Sequence, residues 1–158
     1  MNEQAQSEHR WLARLIGEWE YESEYSMGPD QPPGKMTGSD SVGAFGDLWV
    51  IANGQAQGSD GPWKSIMTLG YNPASQRFVG TFVADMMSYL WVYSGTLDTA
   101  TDTLTLDADG PDFTTGKIIR YQDIIQLQGP DSRTLTSRMQ GEDGQWRQIM
   151  QATYRRKA

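Results

Sequence analysis

One imidazole, no thiol and a scatter of carboxylates define the chemistry open to this chain. His9 is the single histidine and cysteine is absent, which removes disulfides, thiol nucleophiles, iron–sulfur clusters and Cys-based zinc sites, and with them most His-rich metal sites. His9 is the one group whose unperturbed pKa lies near neutrality, and a haem barrel would need it as an axial ligand. Its expected role is instead a structural bond to a backbone carbonyl. Asp85 is the carboxylate of first interest, because it stands beside Met86, Met87, Tyr89, Leu90, Trp91 and Tyr93, the densest run of aromatic and thioether side chains. A carboxyl group in an apolar mouth can be pushed toward neutrality and exchange a proton with a bound molecule; a turn residue bonded to local backbone is the plainer alternative. Glu18, Glu20, Glu22 and Glu24 offer oxygen ligands of the kind calcium prefers, but they are spread along an extended strand, and a solvated outer face is expected. No Ser-His-Asp order, nucleophile elbow or glycine-rich phosphate loop is present. No catalytic residue, metal ligand or cofactor is therefore assigned.

The aromatic residues carry a different possibility. Buried Tyr and Trp side chains need partners for their O–H and N–H groups, and such groups orient a ligand as readily as they stitch a core. The candidate ligand-lining set is Tyr21, Tyr25, Trp49, Met67, Asp85, Tyr89, Trp91 and Tyr93. Ordinary barrel packing is the alternative for the same residues, since large side chains must fill any barrel interior.

These residues need a scaffold, and 158 residues suffice for one domain with a real core. Hydrophobic residues make up only 37%, but 6 Trp, 7 Tyr, 4 Phe and 8 Met concentrate that volume in large side chains, so few residues can fill a wide interior. A formal charge of -7 opposes binding to phosphate backbones or anionic membranes. The polar, acidic N-terminal residues do not read as a signal peptide, and no apolar run approaches the roughly 20 residues of a membrane span. A cytoplasmic location is the expectation.

Trp11, Leu12, Leu15 and Ile16 recur at helical spacing after Ser7, a suitable N-cap, and Gly17 stops the run, which predicts a short helix over residues 7–17. Trp19, Tyr21, Ser23, Tyr25 and Met27 then alternate with the glutamates, a strand with one face in water. Gly28 to Gly38 reads as a hairpin loop. Turn signals recur at Asn53-Gly54, Asp60-Gly61-Pro62, Asn72-Pro73, Asp109-Gly110-Pro111, Gly129-Pro130-Asp131 and Asp143-Gly144. Between them lie strand-length pieces: Trp49 to Ala52, Trp63 to Tyr71, Phe78 to Val83, Tyr89 to Leu97, Thr103 to Leu106, Lys117 to Leu127, Thr134 to Met139 and Trp146 to Tyr154. About eight to ten short strands joined by tight turns predict an all-β, antiparallel up-and-down barrel over residues 18–158, plugged at one end by the helix, as a single domain over 1–158.

Gly17-Glu18-Trp19, at the junction of helix and first strand, resembles the Gly-x-Trp signature of lipocalins and other calycins. That resemblance implies that Gly17 lets the chain turn into the strand and that Trp19 closes the barrel base beneath a basic side chain from the last strand, Arg155 or Arg156. A second resemblance spans most of the chain through His9, Gly17-Glu18-Trp19, Leu69-Gly70-Tyr71-Asn72-Pro73, Arg77-Phe78-Val79-Gly80-Thr81, Gly95-Thr96-Leu97-Asp98, Leu104-Thr105-Leu106, Gly110-Pro111-Asp112, Thr115-Gly116-Lys117 and Tyr154-Arg155-Arg156. By these strings the chain is similar to the bacterial domain of unknown function 1579. The family pattern tends to carry Asp where this chain has Asn72, so no carboxylate role is available there. The resemblance implies a calycin-like barrel and no activity.

Three functions remain open on the sequence. The first is a binding barrel enclosing a small apolar or amphipathic ligand; the second is a small-molecule enzyme using a pocket carboxylate such as Asp85. The third is a structural module that forms a homodimer, because Leu90 and Val92 make the second face of the Tyr89–Tyr93 segment apolar as well.

Overall fold

The computed structural model describes residues 2–157. One short helix, α1 (Ser7–Ala13), precedes ten strands: β1 (Gly17–Tyr25), β2 (Gly34–Phe45), β3 (Trp49–Gly58), β4 (Gly61–Asn72), β5 (Arg77–Ala84), β6 (Trp91–Asp98), β7 (Thr103–Pro111), β8 (Ile118–Leu127), β9 (Ser132–Gln140) and β10 (Trp146–Arg156). Each strand pairs antiparallel with the next, and β1 pairs with β10 from Trp19↔Arg156 to Tyr25↔Met150, so the sheet closes on itself. The expected antiparallel barrel is the observed fold. Among the described residues no helix is long and apolar enough to cross a membrane.

Alternation dictates which side chains enter. On β1 the glutamates are exposed, while Trp19 and Ser23 are buried and Tyr21 and Tyr25 are half-buried. At the end that carries α1, Trp11, Leu12 and Leu15 pack with Trp19, Phe78, Leu104, Leu106 and Ile125 into a dense core. Burying each large apolar side chain there contributes about 1.5–3 kcal/mol. The other end carries the loops 26–33, 59–60, 85–90, 112–117 and 141–145, and among the described residues no helix lies across it.

Several sequence expectations change. The helix ends at Ala13, not Gly17, and residues 14–15 form a turn. Its N-cap is Gln6, whose N–H donates to His9 Nδ1 at 2.9 Å, while Ser7 bonds to Glu8. Residues 34–38, expected in a loop, begin β2, whose glycines and serines conceal its strand character. Asn53-Gly54 and Asp109-Gly110-Pro111 are not turns but lie within β3 and β7. Both glycines make room for a neighbour. A Cβ at Gly54 would come within 2.4 Å of Ser65 Oγ and 2.8 Å of Asp40 Oδ1, and one at Gly110 within 2.1 Å of the Trp91 ring.

Candidate ligand cavity

The closed end is built around Trp19. Its indole N–H donates to Leu15 O at 2.9 Å, and two guanidinium groups lie over its ring, Arg156 at 4.2 Å and Arg133 at 4.8 Å from the centroid. Arg156 also donates to Ile16 O (2.6 Å) and Arg14 O (3.1 Å), pinning the turn that leads from α1 into β1. Gly17 is obligatory at that turn: its φ is +140°, and a Cβ would stand 2.1 Å from Arg156 Nη1. Of the two C-terminal arginines, Arg156 is the one that lies over the Trp19 ring. Arg155 alternates to the outer face and reaches Glu22 at 4.0 Å. His9 donates through Nε2 to Tyr71 O at 3.1 Å, so both ring nitrogens serve backbone groups that dock α1.

Above this floor the barrel interior opens into a cavity of about 520 Å³ that reaches the mouth. Of the ligand-lining candidates, Tyr21, Tyr25, Met67, Trp91 and Tyr93 line it; Trp49, Asp85 and Tyr89 do not. Val50 and Ala52 take the inward positions of β3, which turns Trp49 outward onto the surface over Gly70. Asp85 is exposed and accepts the Lys64 N–H at 3.0 Å, the turn role that competed with an acid in the mouth. Tyr89 lies before β6, donates to Asp109 O at 2.7 Å and supports the Trp91 ring from behind, edge to face with 4.9 Å between centroids.

The walls near the mouth are apolar: Met36, Trp63, Phe82, Met86, Met87, Phe113, Ile149 and Met150 join the aromatic residues. Trp91 is fixed by its N–H to Met87 Sδ at 3.4 Å and by an edge contact with Tyr121, whose hydroxyl donates to Pro111 O at 2.7 Å. Several rim side chains remain exposed, among them Met27, Met86, Leu90, Phe113 and Ile118.

Deeper in, polar groups converge that the sequence reading did not select. Arg133 and Asp40 form a buried ion pair at 3.3 Å, with the guanidinium 3.9 Å from the Tyr154 ring centroid. Asp123 accepts from Tyr93 Oη and from Ser137 Oγ, each at 2.5 Å. Two buried polar atoms beside the cavity, Ser23 Oγ and Arg133 Nε, have no hydrogen-bond partner among the described residues. Burial dominates the electrostatics. It raises the Asp40 carboxyl despite the opposing pull of Arg133, and it raises Asp123 despite the stabilising bonds from Ser137 and Tyr93. The Tyr21 hydroxyl is pushed up to about 12 by burial and by Asp40, while Tyr93 and Tyr154 are held well above the ordinary phenol value, again chiefly by burial. The phenols are therefore neutral donors at any physiological pH. The carboxylates can pair with charge or exchange a proton.

A signal for Asp123 did exist in the sequence. In β8 the inward positions Tyr121, Asp123, Ile125 and Leu127 place one charge among apolar residues at period two. Asp40 had no such frame, because β2 was not legible as a strand.

Residues 4–156 match the family described as a protein of unknown function, DUF1579. The chain belongs to the DUF1579 family. No curated protein matches the sequence. Among solved structures, Rv2717c from M. tuberculosis is similar at a TM-score of 0.71 with 14% identity, covering 98% of this chain and 100% of that one. The S-type phycobiliprotein lyase CPES from Guillardia theta gives 0.63 with 12% identity, covering 97% and 94%. EF1p2_mFAP2b bound to DFHBI gives 0.51 with 17% identity, covering 96% and 100%. At these identities the similarity is one of fold.

Proposed function

We propose that this DUF1579 barrel binds a small amphipathic molecule in its interior, the apolar body against the Met and aromatic walls and the polar end toward the floor. The observation that carries the reading is the cavity of about 520 Å³ with unpartnered polar atoms, Ser23 Oγ and Arg133 Nε, beside it. A sealed core would leave no such space, and buried polar groups in native structures nearly always have partners. Pockets of this volume, mostly apolar with a few convergent polar groups, suit small ligands. A barrel of the same fold, EF1p2_mFAP2b, holds the small molecule DFHBI.

Two measurements test the reading. Native mass spectrometry of protein purified from its own host should show a co-purified small molecule, and Nile red, a neutral solvent-sensitive dye, should gain fluorescence with the unmodified protein. Ala52→Trp, which places a large ring in the cavity, should abolish the gain while leaving the far-ultraviolet circular dichroism of the barrel intact. Neither adduct nor dye binding, or a dye signal unchanged in Ala52→Trp, would count against it.

A further inference from the structure

Three charged side chains line the cavity, Asp40, Asp123 and Arg133, so the interior has one more carboxylate than it has cations. Arg133 is engaged with Asp40 at 3.3 Å. Asp123, on the neighbouring strand β8, has only hydroxyl partners among the described residues, Tyr93 and Ser137. Two hydroxyl bonds occupy part of the acceptor capacity of a carboxylate, which has about four lone-pair sites. A buried carboxylate without a countercharge is costly.

We infer that the ligand carries an amine, a protonated nitrogen that docks on Asp123 with its apolar body toward the mouth; this rests on the cavity being a ligand site. An ammonium supplies both things that Asp123 lacks, a positive charge and N–H donors, and charge-assisted hydrogen bonds are about twice as strong as neutral ones. The rings of Trp91, Tyr93 and Tyr121 line the same cavity, and a cation is attracted to aromatic faces. An anionic head group meets the opposite situation: among the described residues the one cation lining the cavity, Arg133, already belongs to Asp40, and the remaining charge, Asp123, repels it.

A matched series with one body and three heads decides the matter: 4-phenylbutylamine, 4-phenylbutanol and 4-phenylbutyrate, titrated calorimetrically into the full chain at neutral pH. The amine should bind about tenfold more tightly than the alcohol, with the carboxylate weakest. In Asp123→Asn the amine-to-alcohol ratio should fall to about one, within the error of the titration. A carboxylate that binds best, an amine no tighter than the alcohol, or a ratio unchanged in Asp123→Asn overturns the inference while leaving ligand binding in place. If none of the three binds while Nile red does, the amine assignment falls alone; if no probe binds at all, both readings fall. Should Asp123→Asn not fold, the ranking on the unmodified protein decides by itself.

Discussion

At the helix end of this barrel almost every polar group finds a partner, whereas in the cavity several do not. Around Trp19 the indole N–H, the Arg156 guanidinium and the carbonyls of Arg14, Leu15 and Ile16 are joined within one small volume. Asp102 extends that network by accepting from Trp11 Nε1 and from both terminal nitrogens of Arg14, which clamps α1 to the turn between β6 and β7. In the interior, among the described residues, Ser23 Oγ and Arg133 Nε have no partner and Asp123 has no cation beside it, and large apolar side chains at the rim stay exposed. The contrast teaches that one end is packed for stability while the other is left open, and it can be broken or sharpened by substitution at either end.

Removing the centre of the closed end should have the largest effect. Trp19→Ala leaves a cavity under Arg156 and Arg133 and is expected to cost about 3–5 kcal/mol in urea unfolding. Gly17→Ala follows at about 1–3 kcal/mol, because it forces a side chain into a left-handed backbone and into Arg156. Asp123 comes next and acts through pH. Burial raises its folded-state pKa above that of the unfolded chain, so between the two values, and only there, the folded protein keeps a proton that the unfolded chain has released. Stability from this group is therefore fully present below the ordinary carboxylate pKa and is lost as pH rises from there through the folded pKa, at no more than about 1.4 kcal/mol per pH unit. Asp123→Asn should flatten that decline in denaturation curves taken above about pH 4. Smallest in stability is Phe113→Ser at the rim, expected within about 0.5 kcal/mol of the parent; its readout is weaker Nile red binding. A large loss of stability there with unchanged binding would erase the distinction between the two ends.

The closed end was also the part most legible in the sequence. Helical spacing in Trp11, Leu12 and Leu15, strict alternation in β1 and the Gly17-Glu18-Trp19 junction each point to one local conformation, and all three agree. The cavity was legible only in part. Tyr21, Tyr25, Met67, Trp91 and Tyr93 follow from strand parity, but Trp49 differs from Val50 by a single position, and a one-residue ambiguity in register reverses a face. Glycine was the second obstacle. Asn53-Gly54 and Gly110 look like turns because glycine marks backbone freedom, yet here the missing side chain makes space for Asp40, Ser65 and Trp91 across the sheet. Those spaces are tertiary facts, and local patterning holds no record of them. The charges at the cavity floor were missed because Asp40 lies in an unread strand and Arg133 reaches it from seven strands later along the chain.

The pairing of β1 with β10 has one more consequence. Every other pairing in the barrel joins strands consecutive in the chain, so the ladder can zip along its own length at low entropic cost. The last join is a seam, stitched by Arg156 to Ile16 and Arg14 and reinforced by Arg133 to Asp40. A chain interrupted before Trp146 would retain nine of its strands but expose β1 and β9 as two raw edges, each able to recruit a neighbour's strand in place of β10.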